Sequence, residues 1–422
     1  MAQNPAAKFG ELRGKTPEEA KFFWSGGPVQ VAERSWFQSQ FSGVTAFETD
    51  DGLVLVDTGT KQFAPMLAAM LRQKTNAPVH TAIYTHGHVD HAYGLDAFLI
   101  AGQKKPRVIA HSAMPARFER YAATARHNAA LNARQFGGTV EAQSGESYAA
   151  FGQPPIAPDT LYDDRLDINV GDVDFELHHC RGETDDHTWI WCPQRRVLCP
   201  GDLFIWAVPN DGNPQKVQRY PWDRAKGLRE MAKLGADALC PGHGGPIIGE
   251  AEKIARMLNE TADFLEVIVK RTLQAMEAGS PPHVDIVTGI ELPKSDSPWL
   301  QPVYDDTEFI VRNVIRFYGG WWNGRPSDLK PSPRVGLANE IASLCGGAHK
   351  LAARALALSG AGDHRLACHL ADYALEAAPG DGDVQRDVAA VYDARAAQEE
   401  SLMAINIFNS AAAYARAGRA FA

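Results

Sequence analysis

Three features are missing from this sequence, and each absence excludes a class of protein. No run of about 18 apolar residues occurs anywhere, so a membrane-spanning helix is not expected. No basic run interrupts a chain whose net charge is −9, and a surface of that sign disfavours nucleic acid as a partner. The six cysteines form no Cys-x-x-Cys pair, which favours free thiols in a reducing compartment over a disulfide framework. We therefore expect a protein that acts on neither a membrane nor nucleic acid.

Length and composition indicate a globular protein with more than one domain. At 422 residues the chain exceeds what one hydrophobic core normally holds, so two or three domains are expected. Apolar residues make up 45% of the chain and charged residues 22%, as is typical of a chain that folds in water. The N-terminus, Met-Ala-Gln-Asn-Pro-Ala-Ala-Lys, has no hydrophobic segment like that of a secretion signal, so a cytoplasmic location is the expectation.

The most informative stretch is residues 81–94, Thr-Ala-Ile-Tyr-Thr-His-Gly-His-Val-Asp-His-Ala-Tyr-Gly. Its first five residues read as a short strand, so the residues that follow lie at a strand's carboxyl end. Four metal-competent side chains then occur within six positions: His86, His88, Asp90 and His91. A loop this tight cannot wrap all four around one ion without strain, but it can place the first two on one metal and the last two on a second. Further His, Asp or Glu ligands must then come from other strand ends.

This stretch resembles the signature of the metallo-β-lactamase superfamily. The resemblance implies an α/β fold, a four-layer αββα sandwich, with two metal ions and a bridging hydroxide at one edge. Later residues narrow it to the alkylsulfatase-like branch. Asp57, in the Asp-Thr-Gly turn that ends an earlier strand, matches an aspartate that supports the metal loop in the superfamily. An ordinary strand-end turn explains the same three residues, so both interpretations stay open.

The resemblance implies three further ligands, each at a strand end. The turn after the strand at 173–180 carries Glu183 where most of the superfamily has histidine, and the alkylsulfatase-like proteins also use a glutamate in this turn. His187 in the same turn competes with it, either as a ligand or as a residue that orients the site. The Gly-Asp pair at the end of the next strand puts Asp202 where the superfamily has the carboxylate that bridges the metals. The Pro-Gly-His-Gly stretch puts His243 where the superfamily has its last histidine ligand.

The implied set of seven metal ligands is His86, His88, Asp90, His91, Glu183, Asp202 and His243. Two divalent ions bring a charge of +4, and three carboxylates with one hydroxide bring −4. This balance suits two Zn²⁺ ions and leaves Mn²⁺ and Fe open. Within the set, Asp90 and Asp202 are the predicted catalytic residues.

A polar loop after Asp202 predicts where a substrate binds. Its donors for a tetrahedral anion are Asn210, Lys216, Arg219 and Tyr220. Alkylsulfatases have Asn and Arg sulfate-binding residues in this region, although a solvated surface loop would have the same composition. A long insertion over residues 112–160 is expected to shape access to the site. Its candidate contacts are Arg117, Tyr121, Arg126, His127 and Tyr148.

The last third of the chain reads as a helical domain. A Pro-, Ser- and Asp-rich segment marks a boundary between a catalytic domain over residues 1–278 and a second domain over residues 279–422. The double glycine followed by Trp321 and Trp322 resembles the start of the alkylsulfatase dimerisation domain, which implies a homodimer. The two tryptophans could line a substrate channel or pack in a core. From Val335 onward, Ala-rich helices with glycine breaks look like tetratricopeptide-type packing.

The resemblance implies a dinuclear metal-dependent hydrolase of a small-molecule ester, with alkyl sulfate esters preferred. A lactonase or other carboxylic-ester hydrolase is the alternative, because the same hydroxide would serve it. A helical interaction protein with a silent metal domain is the rival from another class, and it would require a broken ligand set. Alkylsulfatases usually continue into a third, sterol-carrier-like domain, whereas this sequence ends at Ala422, so long detergent-like substrates are not expected.

Overall fold

The computed structural model describes residues 21–22, 24–135, 155–280 and 285–421, and it begins with a seven-stranded sheet. The strands of this sheet lie side by side in chain order: β1 (Gly26–Ala32), β2 (Ser35–Gln40), β3 (Ser42–Thr49), β4 (Gly52–Val56), β5 (Val79–Ile83), β6 (Arg107–His111) and β7 (Thr160–Tyr162). The strands from β4 to β7 run parallel to one another. Asp57 follows β4 and the histidine-rich loop follows β5, so both lie at the same edge of the sheet.

A second sheet of six strands lies against the first. Its strands also follow chain order: β8 (Arg165–Val170), β9 (Val173–His179), β10 (Thr188–Cys192), β11 (Val197–Ile205), β12 (Ala238–His243) and β13 (Ile247–Ile248). The neighbours β11 and β12 are parallel, and their register pairs Ile205 with His243. Asp202 and His243 therefore approach the same end of this sheet.

Helices cover both outer faces, which makes a four-layer sandwich. The first sheet is covered by α1 (Ala64–Leu71), α2 (Val89–Ala92), α3 (Leu95–Phe98) and α4 (Met114–Ala123), and α5 (Ala125–Gln135) follows and packs against the last helix of the described chain. The second is covered by α6 (Pro221–Met231) and α7 (Ala251–Glu277). Between the sheets the core is apolar, and the rings of Phe47 and Phe175 meet edge to face at 5.2 Å. The predicted αββα arrangement is confirmed.

The remainder of the described chain is helical, as predicted. Its helices are α8 (Asp285–Gly289), α9 (Thr307–Gly319), α10 (Pro326–Leu329), α11 (Arg334–Cys345), α12 (Ala348–Gly360), α13 (His364–Ala377), α14 (Gly382–Ala396) and α15 (Leu402–Arg416). The buried residues of α13 are Ala367, Ala371, Ala374 and Leu375, and three small alanines on this face let neighbouring helices approach closely. Tetratricopeptide-type packing stays a prediction.

The two parts of the chain share a core. Val311 and Ile315 of α9 belong to the same buried cluster as Leu258 and Ile268 of α7. The proposed boundary at residues 278 and 279 follows the end of α7 and stays a prediction. Across the described ranges, none of the helices combines the length and the apolar character that crossing a bilayer requires. The insertion at 112–160 is helical over α4 and α5, and the rest of its centre, with Tyr148, lies outside the described residues.

Candidate metal centre

The histidine-rich loop is held between the two sheets. The backbone N–H of Thr188 in β10 donates to the carbonyl of Thr85 at 2.7 Å, so the loop is tied to the second sheet directly before its first histidine. The short helix α2 begins immediately after His88 and carries Asp90 and His91. The four predicted ligands of this loop therefore come from two successive pieces of backbone, a bend and a helical turn.

The structure brings all seven predicted ligands together, in two groups. The first consists of His86, His88, Glu183 and Asp202, whose ligand atoms all lie within 4.8 Å of one another. The second consists of Asp90, His91 and His243, within the same limit. This is the division of the loop that its spacing predicts, with the first two side chains in one group and the last two in the other.

Asp202 lies between the two groups. Its Oδ1 is 3.2 Å from Nε2 of His91, and its Oδ2 is 3.3 Å from Nε2 of His243. The same Oδ2 is 3.8 Å from Nε2 of His86 in the first group. Both oxygens therefore lie near the second group, and Oδ2 also approaches the first, so this carboxylate contacts side chains of both groups.

Asp57 supports the loop from behind. Its carboxylate accepts hydrogen bonds from the backbone N–H of Thr85 at 2.7 Å and from the Thr85 hydroxyl at 2.8 Å. It also lies 2.7 Å from Nδ1 of His91, which leaves Nε2 of that ring facing Asp202. A carboxylate on the far nitrogen of a ligand histidine fixes the tautomer that binds metal. Between the two interpretations of Asp57, the contacts favour a supporting role.

His187 lies outside both of the groups that the described residues form. Its Nε2 accepts a hydrogen bond from the backbone N–H of Asp202 at 3.0 Å, and its ring stacks on His86 with centroids 4.8 Å apart. Because that nitrogen is already occupied, the contacts favour an orienting role over a ligand role.

The charges of the site fit a cation centre. Burial lowers the pKa of His86 and of His88 well below the usual value, so both rings are neutral and keep a lone pair for a metal. Burial opposes protonation of His91 and His243, but neighbouring carboxylates outweigh it and raise the pKa of His243 to about 9. Burial also raises the pKa of Glu183 to about 8, against the opposing charge of Arg219. Without cations, carboxylates this close need protons to offset their charge, and divalent ions would take that role.

Unsatisfied atoms point to the same conclusion. Nε2 of His91, Oε2 of Glu183 and Oδ1 of Asp202 are buried, and none makes a well-aligned hydrogen bond within the described ranges. Leaving such atoms without partners is costly in a folded protein. Imidazole and carboxylate ligands gathered in this way fit divalent metal ions.

A cavity of about 660 Å³ opens over both groups. Its lining includes the polar side chains Asn132, Gln135, Asn210, Asn213, Lys216, Arg219 and Tyr304, and the aromatic side chains Phe22, Trp24, Phe41 and Phe63. Arg219 and Asn210 contact Glu183 of the first group, whereas the rings of Phe22 and Phe41 lie against His243 of the second.

The predicted substrate donors take different positions around this cavity. Lys216 lines it and donates from Nζ to Oδ1 of Asn132 at 3.3 Å. Asn210 and Arg219 line it too, but both also contact Oε1 of Glu183, at 2.6 and 2.8 Å. Tyr220 is not among the lining residues in the part of the chain that is described. Its ring packs against Phe317 and beneath the guanidinium of Arg181.

Some contacts of the site were not predicted from the sequence. Arg117, a candidate substrate contact, is not among the cavity-lining residues in the described part of the chain, whereas Tyr121 is. Nε of Arg117 donates instead to Asp186 at 3.0 Å, and Asp186 accepts from the backbone N–H of Gly87 in the histidine-rich loop at 3.0 Å. The paired acids after Glu183 were a signal that could have indicated this link. Tyr304 reaches the cavity from the helical part, and its hydroxyl accepts from Nε2 of Gln135 at 2.7 Å. No local pattern marks Tyr304. Trp321, 71% exposed, and Trp322 line neither the cavity nor a described core.

Comparisons with known proteins place these features in a family context. Residues 41–243 match the family model described as the metallo-beta-lactamase superfamily, and residues 283–418 match the one described as alkyl sulfatase dimerisation. A linear primary-alkylsulfatase of a Pseudomonas species is 27% identical, over 81% of this chain and 68% of that protein. The alkyl/aryl-sulfatase BDS1 of Saccharomyces cerevisiae is 25% identical, over 74% of this chain and 52% of that protein.

A solved structure has the same fold. The stereoselective inverting sec-alkylsulfatase Pisa1 from Pseudomonas sp. superposes with a TM-score of 0.81 at 24% sequence identity. The match covers 92% of this chain and 65% of that one. This chain therefore spans between about half and two thirds of the length of the relatives described here.

Proposed function

Because this chain belongs to the metallo-β-lactamase superfamily, in its alkylsulfatase branch, we propose that it is a metal-dependent hydrolase of alkyl sulfate esters. The observation that carries the proposal is the convergence of seven metal-competent side chains in two groups with Asp202 between them. Residues of both groups line a cavity together with cationic and aromatic side chains, which suit the anionic and apolar parts of an alkyl sulfate.

The proposed cofactor is a pair of Zn²⁺ ions. His86, His88 and Glu183 would hold one, Asp90, His91 and His243 the other, and Asp202 would contact both. Imidazole and carboxylate ligands suit zinc in four- or five-coordinate sites. When bound, such a pair makes hydroxide available at neutral pH and withdraws electron density from an ester oxygen. Asp90 and Asp202 carry the proposed catalytic roles because they hold the pair in place.

The part of the cavity lined by Lys216, Arg219 and Asn210 is the proposed sulfate site. Lys216 and Arg219 bring positive charge there, and Asn210 adds an amide. Nε of Arg219 is buried and makes no hydrogen bond to any described residue, so a donor remains for an anion. Three oxygens of a sulfate ester match several converging donors better than the planar group of a lactone does. We therefore place sulfate esters ahead of lactones and other carboxylic esters.

A substrate panel tests this proposal. The zinc-loaded protein should release inorganic sulfate from short alkyl sulfates and should act more slowly on a lactone at matched concentration. Protein stripped by a chelator should lose the activity and regain it with Zn²⁺, at about two ions per chain. Faster acid release from the lactone would favour the carboxylic-ester alternative, and inactivity on every ester after full metal loading would contradict the hydrolase proposal.

The pH dependence of KM should report Lys216. Burial and the adjacent Arg219 lower its pKa to about 8, against the opposing charges of Asp90 and Glu183. The side chain is charged below that pH and neutral above it, so KM for an alkyl sulfate should rise as the pH passes about 8. Loss of one charge-assisted hydrogen bond corresponds to about a tenfold or larger rise. Lys216→Met should show a raised KM that stays flat over this range, and a normal KM in that variant would contradict the assignment.

We further propose a homodimer formed through the helical part. Its match to the alkyl sulfatase dimerisation family supports this, together with a series of exposed apolar side chains along it. The most exposed of them are Leu344 at 85% and Trp321 at 71%. Apolar side chains repeated over one region of a surface are typical of protein contacts.

Charge placed on this surface should dissociate the dimer. We expect Leu344→Glu and Trp321→Glu to shift the mass measured by light scattering from two chains toward one, because a buried charge opposes association. Leu161→Glu is the control, since Leu161 is an exposed leucine, at 47%, on β7 of the sandwich. If all three variants keep the mass of two chains, the interface lies elsewhere.

A further inference from the structure

Phe41 occupies a backbone position that favours glycine. It is the single residue between β2 and β3, whose register pairs Gln40 directly with Ser42. Its φ is 76°, in the left-handed region that a bulky aromatic residue rarely adopts. Such strain persists in folded proteins chiefly where a functional site needs it.

Phe41 contacts His243 through both its backbone and its side chain, and only the side-chain contact requires phenylalanine. Its carbonyl lies 2.7 Å from Nδ1 of His243 and accepts that ring's hydrogen bond. Glycine could offer the same carbonyl without strain. What glycine could not offer is the ring, which meets the His243 ring edge to face at 5.2 Å, is 43% exposed and lines the cavity. The side chain, not the backbone carbonyl, is therefore the feature of this position that requires phenylalanine rather than glycine.

The ring is one of several aromatic side chains that line the cavity, together with Phe22, Trp24 and Phe63. The rings of Phe41 and Phe22 lie against His243, whereas Arg219 pairs with Glu183 of the other group. An ester whose sulfate lies at Arg219 can therefore extend its organic group across the metal-competent residues toward the ring of Phe41. Aromatic rings pair with one another in edge-to-face or offset geometry more favourably than with a flexible chain of equal area.

We propose that Phe41 is a specificity-determining residue that selects sulfate esters with an aromatic ring in the organic group. This inference rests on the proposed sulfatase function and adds the preferred class of substrate. An aromatic pair corresponds to about a two- to tenfold preference. The contact also explains why a strained phenylalanine stands at a turn suited to glycine.

Two esters with the same number of carbons test it: 2-phenylethyl sulfate and n-octyl sulfate. The wild-type protein should show the higher kcat/KM with 2-phenylethyl sulfate. Both Phe41→Gly and Phe41→Leu should reduce that preference by about two- to tenfold. Phe41→Gly should also raise the melting temperature relative to Phe41→Leu, because glycine relieves the strain and leucine does not. Both variants should keep the metal content, since the carbonyl remains.

Arg34→Gly is the matched control. Arg34 also has a left-handed φ, 48°, at the turn between β1 and β2, and its side chain pairs with Asp50 away from the cavity. It should leave the ratio of the two kcat/KM values unchanged. Equal ratios in wild type and both Phe41 variants, with sulfate still released, would overturn the role of Phe41 and leave the sulfatase proposal standing. A loss of metal without a change of ratio would reduce Phe41 to a positioning residue for His243. If neither the wild-type protein nor any variant releases sulfate from either ester, both the sulfatase proposal and the role of Phe41 are wrong.

Discussion

Replacing Asp202 with alanine is expected to lower kcat/KM for an alkyl sulfate by about a thousandfold or more. Its Oδ1 faces His91, and its Oδ2 lies between His243 and His86, so the carboxylate reaches both groups. Removing this carboxylate takes a ligand from both proposed ions at once. Metal ions typically contribute several kcal/mol to stabilising charge in the transition state, and each 1.4 kcal/mol is worth about tenfold in rate.

The measurement is sulfate release together with metal content per chain. Asp202→Asn serves as a second variant, because it keeps the volume of the side chain and guards against misfolding as the cause. Asp237→Ala is the control carboxylate, since Asp237 lies directly before β12 and pairs with Arg196 at the surface. Full activity in a folded Asp202→Ala variant would refute the shared-ligand role of Asp202.

The ligand constellation was predictable because each member is fixed by local sequence. Pro-Gly-His-Gly and Gly-Asp mark strand ends, and strands of one sheet place their ends at one edge. The resemblance supplied which ends belong together, and the structure brings all seven side chains into two groups. Metal binding by these groups stays a prediction that the Asp202 experiment tests. The sandwich was predicted from the same resemblance, whereas the helical part was also predictable from the helical periodicity of its apolar residues.

The cavity was less predictable because its walls come from distant parts of the chain. Tyr304 and Leu402 enter it from the helical part, and no periodicity announces a residue that packs across two domains. The hydrogen-bond and ion-pair partners of the predicted donors could not be predicted from the sequence either. Arg219 was a predicted sulfate donor, yet burial beside Glu183 gives it an ion pair at 2.8 Å. Sequence spacing places such side chains in one region, but only tertiary packing decides which acceptor each one meets.

Asp57 shows how a supporting contact becomes testable. We expect Asp57→Asn to lower zinc affinity by about 10- to 100-fold, the usual range for partners of ligand histidines, with a similar loss of activity at limiting zinc. Asparagine tolerates the φ of 59° at this position and keeps an oxygen for the backbone N–H of Thr85. Its amide N–H₂ then faces Nδ1 of His91, where a carboxylate oxygen lies at 2.7 Å in the native chain.

That change reverses the tautomer of His91. With a donor opposite Nδ1, the ring carries its proton on Nε2, the nitrogen directed at Asp202 and the proposed metal. Competition with a chromophoric chelator measures the affinity, and ¹⁵N chemical shifts of the ring report the tautomer directly. Excess zinc should restore much of the activity, because the other ligands are intact. If Asp57→Asn keeps native affinity and the native tautomer, the aspartate only closes the turn after β4, and the orientation of His91 must come from the packing around it.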